Sequence, residues 1–433
     1  MNDSIRNHPI KVGLLPSGIR YLLVKTDSDN KVSVQIRVNV GSRDEEPRIK
    51  GISHLLEHMF FQGSESYPTS KKLEREIYRC GGNFNAYTDY DETVFHTEGF
   101  SKCVDTIAKI MADSFYRSRF LAKNFANEQK IVINELNDVY SKPQDMVVLE
   151  LLRTAFEGTR LEEDVGGTPE TVKSITVDDI KNFVNTYYQR NVIVTIAGDV
   201  SLKHCEALVK RLFSKTAHYP VKRNTAICDD SERILYKDFP FRQTGMKIHH
   251  IPDKSEQCFV AIGFPSYAYA DTTKTYQMLL VREILTGYMN SRLYTLLRQR
   301  EGLVYHVGSG NSFYEDFGYY TIRCTTSNNR RTLRKCVTLI LQEVCLLSQK
   351  LTKNQFSDSK EHLLKLLFLE ADECHSVGLG YSQDLYHYGK VLPIKEKLAI
   401  VRKISLADIR DVAKQVFQPE RATICYSGTS VYL

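Results

Sequence analysis

The sequence contains no apolar run near the roughly 18 residues needed to cross a bilayer, no Cys-x-x-Cys pair and no block of like charge. The first absence excludes a spanning helix; short apolar runs such as Met146 to Leu152 already carry a Glu. The second leaves the ten cysteines scattered in mostly apolar contexts, such as Val344-Cys345-Leu346, which fits reduced, buried thiols better than a disulfide framework. The third matters because the net charge is only +6, from 58 Lys and Arg against 52 Asp and Glu. Such an excess implies neither nucleic acid nor an anionic membrane as a partner. The first residues, MNDSIRNHPIKVG, lack a signal-peptide core and an Arg-rich amphipathic pattern, so a cytoplasmic location is expected.

What is present is the composition of a globular protein, 42% apolar and 25% charged, in a chain of 433 residues that exceeds one ordinary domain. An internal repeat explains the length. Ile175 to Asp199, ITVDDIKNFVNTYYQRNVIVTIAGD, matches Ile404 to Thr429, ISLADIRDVAKQVFQPERATICYSGT, about 229 residues on. Both copies place Thr176 or Ser405 where a helix N-cap belongs, with acidic residues in the first turn. Apolar residues follow at helical spacing, and a short apolar strand ends at Gly198 or Gly428. LAKNFANEQK from Leu121 matches LTKNQFSDSK from Leu351 at nearly the same offset. Two related halves, 1–215 and 239–433, are therefore expected, joined by a linker at 216–238.

Strand patterns such as Val32 to Val40 and Cys258 to Phe264 precede amphipathic helices such as Ser70 to Cys80, read as capped by Ser70 and stopped by Gly81-Gly82, and Lys102 to Tyr116. The expected class is α+β, each half a mixed β-sheet with helices over one side.

The segment Gly51 to Gly63, GISHLLEHMFFQG, carries the chemistry. On a helix, His54 and His58 share a face and can aim two imidazoles at one metal ion. Glu57 borders the same point without being needed as a ligand, and is placed to act as general base toward water on the metal. The order H-x-x-E-H inverts the H-E-x-x-H zincin motif. A catalytic zinc site takes a third protein ligand. Glu135, two helical turns beyond Glu128 in NFANEQKIVINELNDVY, is the candidate, with Glu128 holding a histidine N–H. The second half has no such set: Ile284 and Lys365 stand near the counterparts of His54 and Glu135.

These residues resemble the insulinase, pitrilysin and mitochondrial processing peptidase family of zinc endopeptidases, in its short-chain form. Glu135 lies 77 residues beyond His58, the family's spacing, with Glu128 at the family's supporting glutamate. The resemblance implies one zinc per chain on His54, His58 and Glu135, Glu57 as base, and two half-domains facing each other as a clamshell. GGNFNAYT, Gly81 to Thr88, resembles the edge strand that binds an extended peptide, with Phe84, Asn85 and Ala86 as substrate contacts. RQREGLVY resembles the pair in which Arg298 holds the substrate backbone and Tyr305 donates to the oxyanion. Family heterodimers tend to divide this equipment between subunits, whereas this chain carries all of it. That favours a self-sufficient peptidase, as a homodimer, over a non-catalytic partner or one subunit of a heterodimer; a maturation peptidase for one modified precursor is the alternative within enzymes.

Overall fold

The computed structural model describes residues 8–27, 30–188, 191–215 and 243–429, so the linker expected at 216–238 lies outside the described residues. The chain forms two compact units. One comprises the described residues of Met1–Asn137, Asp164–Ile234 and Phe368–Lys395; the other those of Asp138–Glu163, Leu235–Leu367 and Glu396–Leu433.

The first unit is built on a six-stranded sheet of β1 (Ile10–Leu14), β2 (Arg20–Lys25), β3 (Lys31–Val38), β4 (Asn83–Thr88), β5 (Thr93–Phe100) and β6 (Val192–Gly198), in the order β1-β2-β6-β3-β5-β4. Only the β2 and β6 pair is parallel. Its helices are α1 (Ile52–Phe60), α2 (Ser70–Arg79), α3 (Val104–Arg117), α4 (Ala122–Ser141), whose last turn passes to the second unit, α6 (Pro169–Ser174), α7 (Val177–Tyr187), α8 (Leu202–Leu212) and α12 (Cys374–Tyr388). The second unit has the five-stranded sheet β7 (Lys247–Pro252), β11 (Thr423–Gly428), β8 (Gln257–Ser266), β10 (Gly318–Ser327), β9 (Val304–Phe313), in that order. With it go α5 (Pro143–Ala155), α9 (Thr272–Thr286), α10 (Arg330–Lys350), most of α11 (Lys353–Glu370) and α13 (Ile394–Lys403), and α14 (Leu406–Val416).

The repeat read from the sequence is a repeat of topology. In each unit a capped helix, α7 or α14, leads into a strand, β6 or β11, that runs parallel to one neighbour and antiparallel to the other. Thr176 and Ser405 are both N-caps closing reciprocal hydrogen bonds, with Asp179 and Asp408 respectively. The cap of α2 differs from the expectation: Thr69 accepts from the Lys72 N–H, and Ser70 is the first helical residue. Gly81, at φ +61, provides the left-handed stop that the Gly pair suggested.

Helices cover both faces of each sheet, not one. On the first sheet, Phe60 of α1 stacks on Phe95 and Met111 of α3 receives the Thr97 hydroxyl on one face. On the other, Val377, Tyr381 and Leu385 of α12 pack on Leu22, Val24, Ile193 and Ala197. In the second unit α5 lies on β7, β8 and β11, and Phe156 just beyond it contacts Phe317 and Tyr319. The covering helices come from the other half of the chain: α12 from beyond residue 239, α5 from before residue 215. Each compact unit thus equals a sequence half minus one helical segment given and plus one received.

Candidate metal centre on the first unit

The site begins with the apolar pattern of α1. Ile52, Leu55, Leu56, Met59 and Phe60 are buried, which leaves His54, Glu57 and His58 together on the remaining, half-buried face. The helix start is fixed by Gly51 and Glu45. Gly51 sits at φ +89, and a Cβ there would lie 2.2 Å from the Gly166 carbonyl oxygen, so only glycine fits. The buried Glu45 carboxylate accepts from the Gly51 and Ser53 N–H groups at 2.7 Å each, taking the place of a capping side chain. Burial pushes this carboxyl up to about 7, against the pull of those hydrogen bonds and of Lys50.

The second element of the site is α4. Phe125, Glu128, Val132 and Leu136 form its buried stripe, so Glu128 points inward with the apolar residues while Glu135 is about half exposed. His58 Nε2 and His54 Nε2 lie 3.4 and 3.8 Å from Glu135 Oε2. The two imidazoles stand edge to face with centroids 4.8 Å apart. His58 Nδ1 is 3.1 Å from Glu128 Oε2, which makes Nδ1 the protonated nitrogen and turns Nε2 toward Glu135.

Electrostatics follow from burial and partners. Burial, with His58 adding to it, lowers His54 to about 4, so its ring is neutral at pH 7. Burial also acts against the charged form of His58, but the Glu128 hydrogen bond and the nearby carboxylates outweigh it and raise its pKa. Burial raises Glu57, opposed by the Thr88 hydroxyl, which donates to Glu57 Oε2 at 2.6 Å.

Two imidazole nitrogens and one carboxylate oxygen, all within 4.8 Å of one another, are the donor set of a catalytic zinc site. With bonds of about 2.0–2.2 Å and tetrahedral angles, such donors lie about 3.3–3.6 Å apart. The observed 3.4 and 3.8 Å match that spacing with little movement. The residues therefore fit a zinc ion, and among the described residues no Lys or Arg is paired with Glu135 to compete for it.

The other residues singled out by the sequence fall in three places. Phe84, Asn85 and Ala86 are on β4, at the open edge of the first sheet, where β4 pairs only with β5. Phe84 packs on Phe61, just past α1, at 4.2 Å between ring centroids, and Asn85 Oδ1 accepts from the Ala86 N–H. Arg298 belongs to the second unit, in a π-helical turn, Tyr294–Arg300. Its guanidinium donates to the Val304 and Tyr305 carbonyls, pinning the start of β9. Tyr305 is 62% exposed on that edge strand. At the position matching the metal helix, the second unit instead has the buried Glu283 beside His362 Nδ1 at 2.7 Å. Among the described residues, no group of three metal-capable side chains lies in that unit. Neither Thr88 nor Glu45 belongs to the H-x-x-E-H pattern: Thr88 reaches Glu57 from 31 residues away, and Glu45 holds the helix start from six and eight residues before its partners.

Two family models match the chain: insulinase (peptidase family M16) over residues 20–169 and peptidase M16 inactive domain over residues 174–363. A Rickettsia bellii protein named uncharacterized zinc protease is 27% identical over 408 residues, covering 94% of each chain. A Bacillus subtilis protein, also named uncharacterized zinc protease, is 26% identical, covering 94% of this chain and 95% of its own. The human mitochondrial-processing peptidase subunit beta is 26% identical, over 96% of this chain and 84% of its own. A Helicobacter pylori protease structure superposes with a TM-score of 0.86 at 19% identity, covering 97% of this chain and 99% of that one, a likeness of fold. Motif, duplicated fold and both family matches agree that this chain belongs to the insulinase family of peptidases, M16.

Proposed function

We propose that the protein is a zinc-dependent endopeptidase acting on extended peptides. The observation that carries this reading is the convergence of His54, His58 and Glu135 beside a carboxylate, Glu57, that is held by Thr88 and is not needed as a ligand. A zinc ion on the three ligands would supply Lewis acidity and bring the pKa of water down to about 7. Glu57 accepts the proton from the attacking water and delivers it to the leaving amine, and its upward-shifted pKa suits both halves of that task. A peptide added to the free edge of β4 would be read through its main chain, with Phe84, Asn85 and Ala86 as neighbours, so side-chain preference is loose. Tyr305 donates its hydroxyl to the oxyanion of the tetrahedral intermediate, and Arg298 both positions it and holds the substrate backbone.

The test is Glu57→Gln. It should retain stoichiometric zinc while turnover of an unstructured peptide falls by at least about 10³-fold. Retained turnover, or wild-type cleavage indifferent to a chelator, would remove the assignment. A second reading is favoured by one relative's name, a subunit of a processing peptidase: the chain would then work with a second family subunit. Light scattering and peptide cleavage on the purified chain separate the two, since a homodimer with activity needs no partner.

A further inference from the structure

Outside the site on α1 and α4, the first unit holds a second convergence of metal-binding side chains on the opposite face of its sheet. We propose that His96, Glu98 and His375 form a second metal site, for a divalent transition ion such as zinc, that ties α12 to the sheet. His96 and Glu98 are two apart on β5 and so project from one face, the face that carries Gln35 and Ser33 of β3 directly opposite them. His375 comes from the first turn of α12, which that face receives from the other half of the chain.

The three donors are close enough for one ion to draw them together. One donor atom from each of the three residues lies within 4.8 Å of the others. His375 Nδ1 is 3.6 Å from Glu98 Oε1, and the two imidazole rings are 4.4 Å apart between centroids. Tetrahedral zinc would hold such donors about 3.3–3.6 Å apart. Among the described residues, His96 Nδ1 is buried without a hydrogen-bond partner, a cost that a bound ion would offset. Burial and His375 keep the His96 ring neutral near pH 7, the form that binds a metal.

The surroundings restrict what the ion can be. Two imidazoles and one carboxylate suit zinc, cobalt(II) or nickel(II), and are poor for magnesium or calcium, which prefer oxygen donors. Ser33 Oγ and Gln35 Nε2 approach His375 Nδ1 at 3.2 and 3.3 Å, so a metal at that nitrogen displaces them, and Gln35 Nε2 keeps its bonds to Ser33 Oγ and the His375 carbonyl. The partial positive charge of the α12 N-terminus, which would disfavour a cation, is met by the Glu373 carboxylate, which accepts from the His375 and Ser376 N–H groups. The cluster is not sealed, because the Glu98 side chain is about a third exposed.

The experiment is equilibrium dialysis of the full-length protein against micromolar zinc, with bound metal counted by mass spectrometry, and repeated with cobalt(II), whose absorption reports tetrahedral ligation. Wild type should hold two equivalents. The double variant His54→Ala with His58→Ala should hold one, and its Tm should still rise on adding zinc. Adding His375→Asn should remove the remaining equivalent and the rise in Tm. Wild type that saturates at one equivalent, with the double variant binding none, overturns the proposal without any substitution near α12. Metal content unchanged by both His375→Asn and Glu98→Gln overturns it independently, and neither outcome bears on peptidase activity.

Discussion

Glu57, Glu128 and Glu135 are three carboxylates of one site whose roles are set by what surrounds them. Glu135 is about half exposed and faces both imidazoles, Glu128 lies on the buried stripe of α4 against His58 Nδ1, and Glu57 is held by a hydroxyl from a strand. Replacing Glu128 with Ala would leave all three ligands but release the His58 ring, so zinc affinity should fall about 10–100-fold by chelator competition. Thr88→Val gives a signed pH prediction. The lost hydrogen bond favoured the charged form of Glu57, so the Glu57 pKa should rise further and the acidic limb of the kcat/KM profile should move to higher pH; an unmoved limb would argue that Glu57 is not the base. Glu45, raised by burial to about 7, gives another. A carboxyl whose folded pKa lies above its unfolded one stabilises the fold below about 4.5, and that contribution is lost as pH rises toward 7. Urea titrations across that window should show wild type losing up to about 3 kcal/mol that Glu45→Gln does not lose. The grouping of His54, Glu57, His58 and Glu135 was legible because two turns of helix and one required third ligand define it. Thr88 and Glu45 were not, because a hydroxyl at a strand end and a buried loop carboxylate leave no periodic trace.

Among the elements, the repeated cap-helix-strand unit was legible for a local reason. A Ser or Thr followed by Asp three residues on satisfies helix donors wherever it occurs, so Thr176 with Asp179 and Ser405 with Asp408 mark helix starts without tertiary help. Thr176→Ala and Ser405→Ala should each cost about 1 kcal/mol, seen as a modest fall in Tm and faster amide exchange in the first turn. The strand β3 shows where local reading ends. Its alternation of Val32, Val34, Ile36 and Val38 with Ser33, Gln35 and Arg37 is the pattern of a sheet with one wet face. Yet Ser33, Gln35 and Arg37 are all buried, because α12 lies over them. Gln35 donates to the His375 carbonyl at 2.9 Å, Arg37 to Ser382 Oγ at 3.1 Å, and the Arg37 guanidinium is also paired with Glu92. A polar face covered by a polar helix surface carries the same hydropathy signal as one covered by water, so the second helical layer was invisible to periodicity.

On the scale of the whole molecule, the exchange of α5 and α12 changes what a half of this chain is. The duplication invites treating 1–215 and 239–433 as domains that could be separated. In the structure, the first sheet takes Val377, Tyr381 and Leu385 from beyond the linker, and the second takes Val147, Leu151 and Phe156 from before it. Burying three such side chains contributes roughly 1.5–3 kcal/mol each, a sum comparable to the whole net stability of a domain, about 5–15 kcal/mol. Fragment 1–215 expressed alone should therefore expose Leu22, Val24, Ile193 and Ala197, bind the dye ANS and lack a cooperative unfolding transition, even though every ligand of the α1 and α4 site lies within it. Mixing it with fragment 239–433 should restore cooperative unfolding, because each fragment brings the helix the other lacks. Fragment 1–215 extended by a flexible linker into residues 368–395 should regain much of that stability by itself, since it restores the helix that covers the first sheet. If plain fragment 1–215 instead unfolds cooperatively with no help from 368–395, the apolar face under α12 is dispensable, and the exchange serves only to join the two halves.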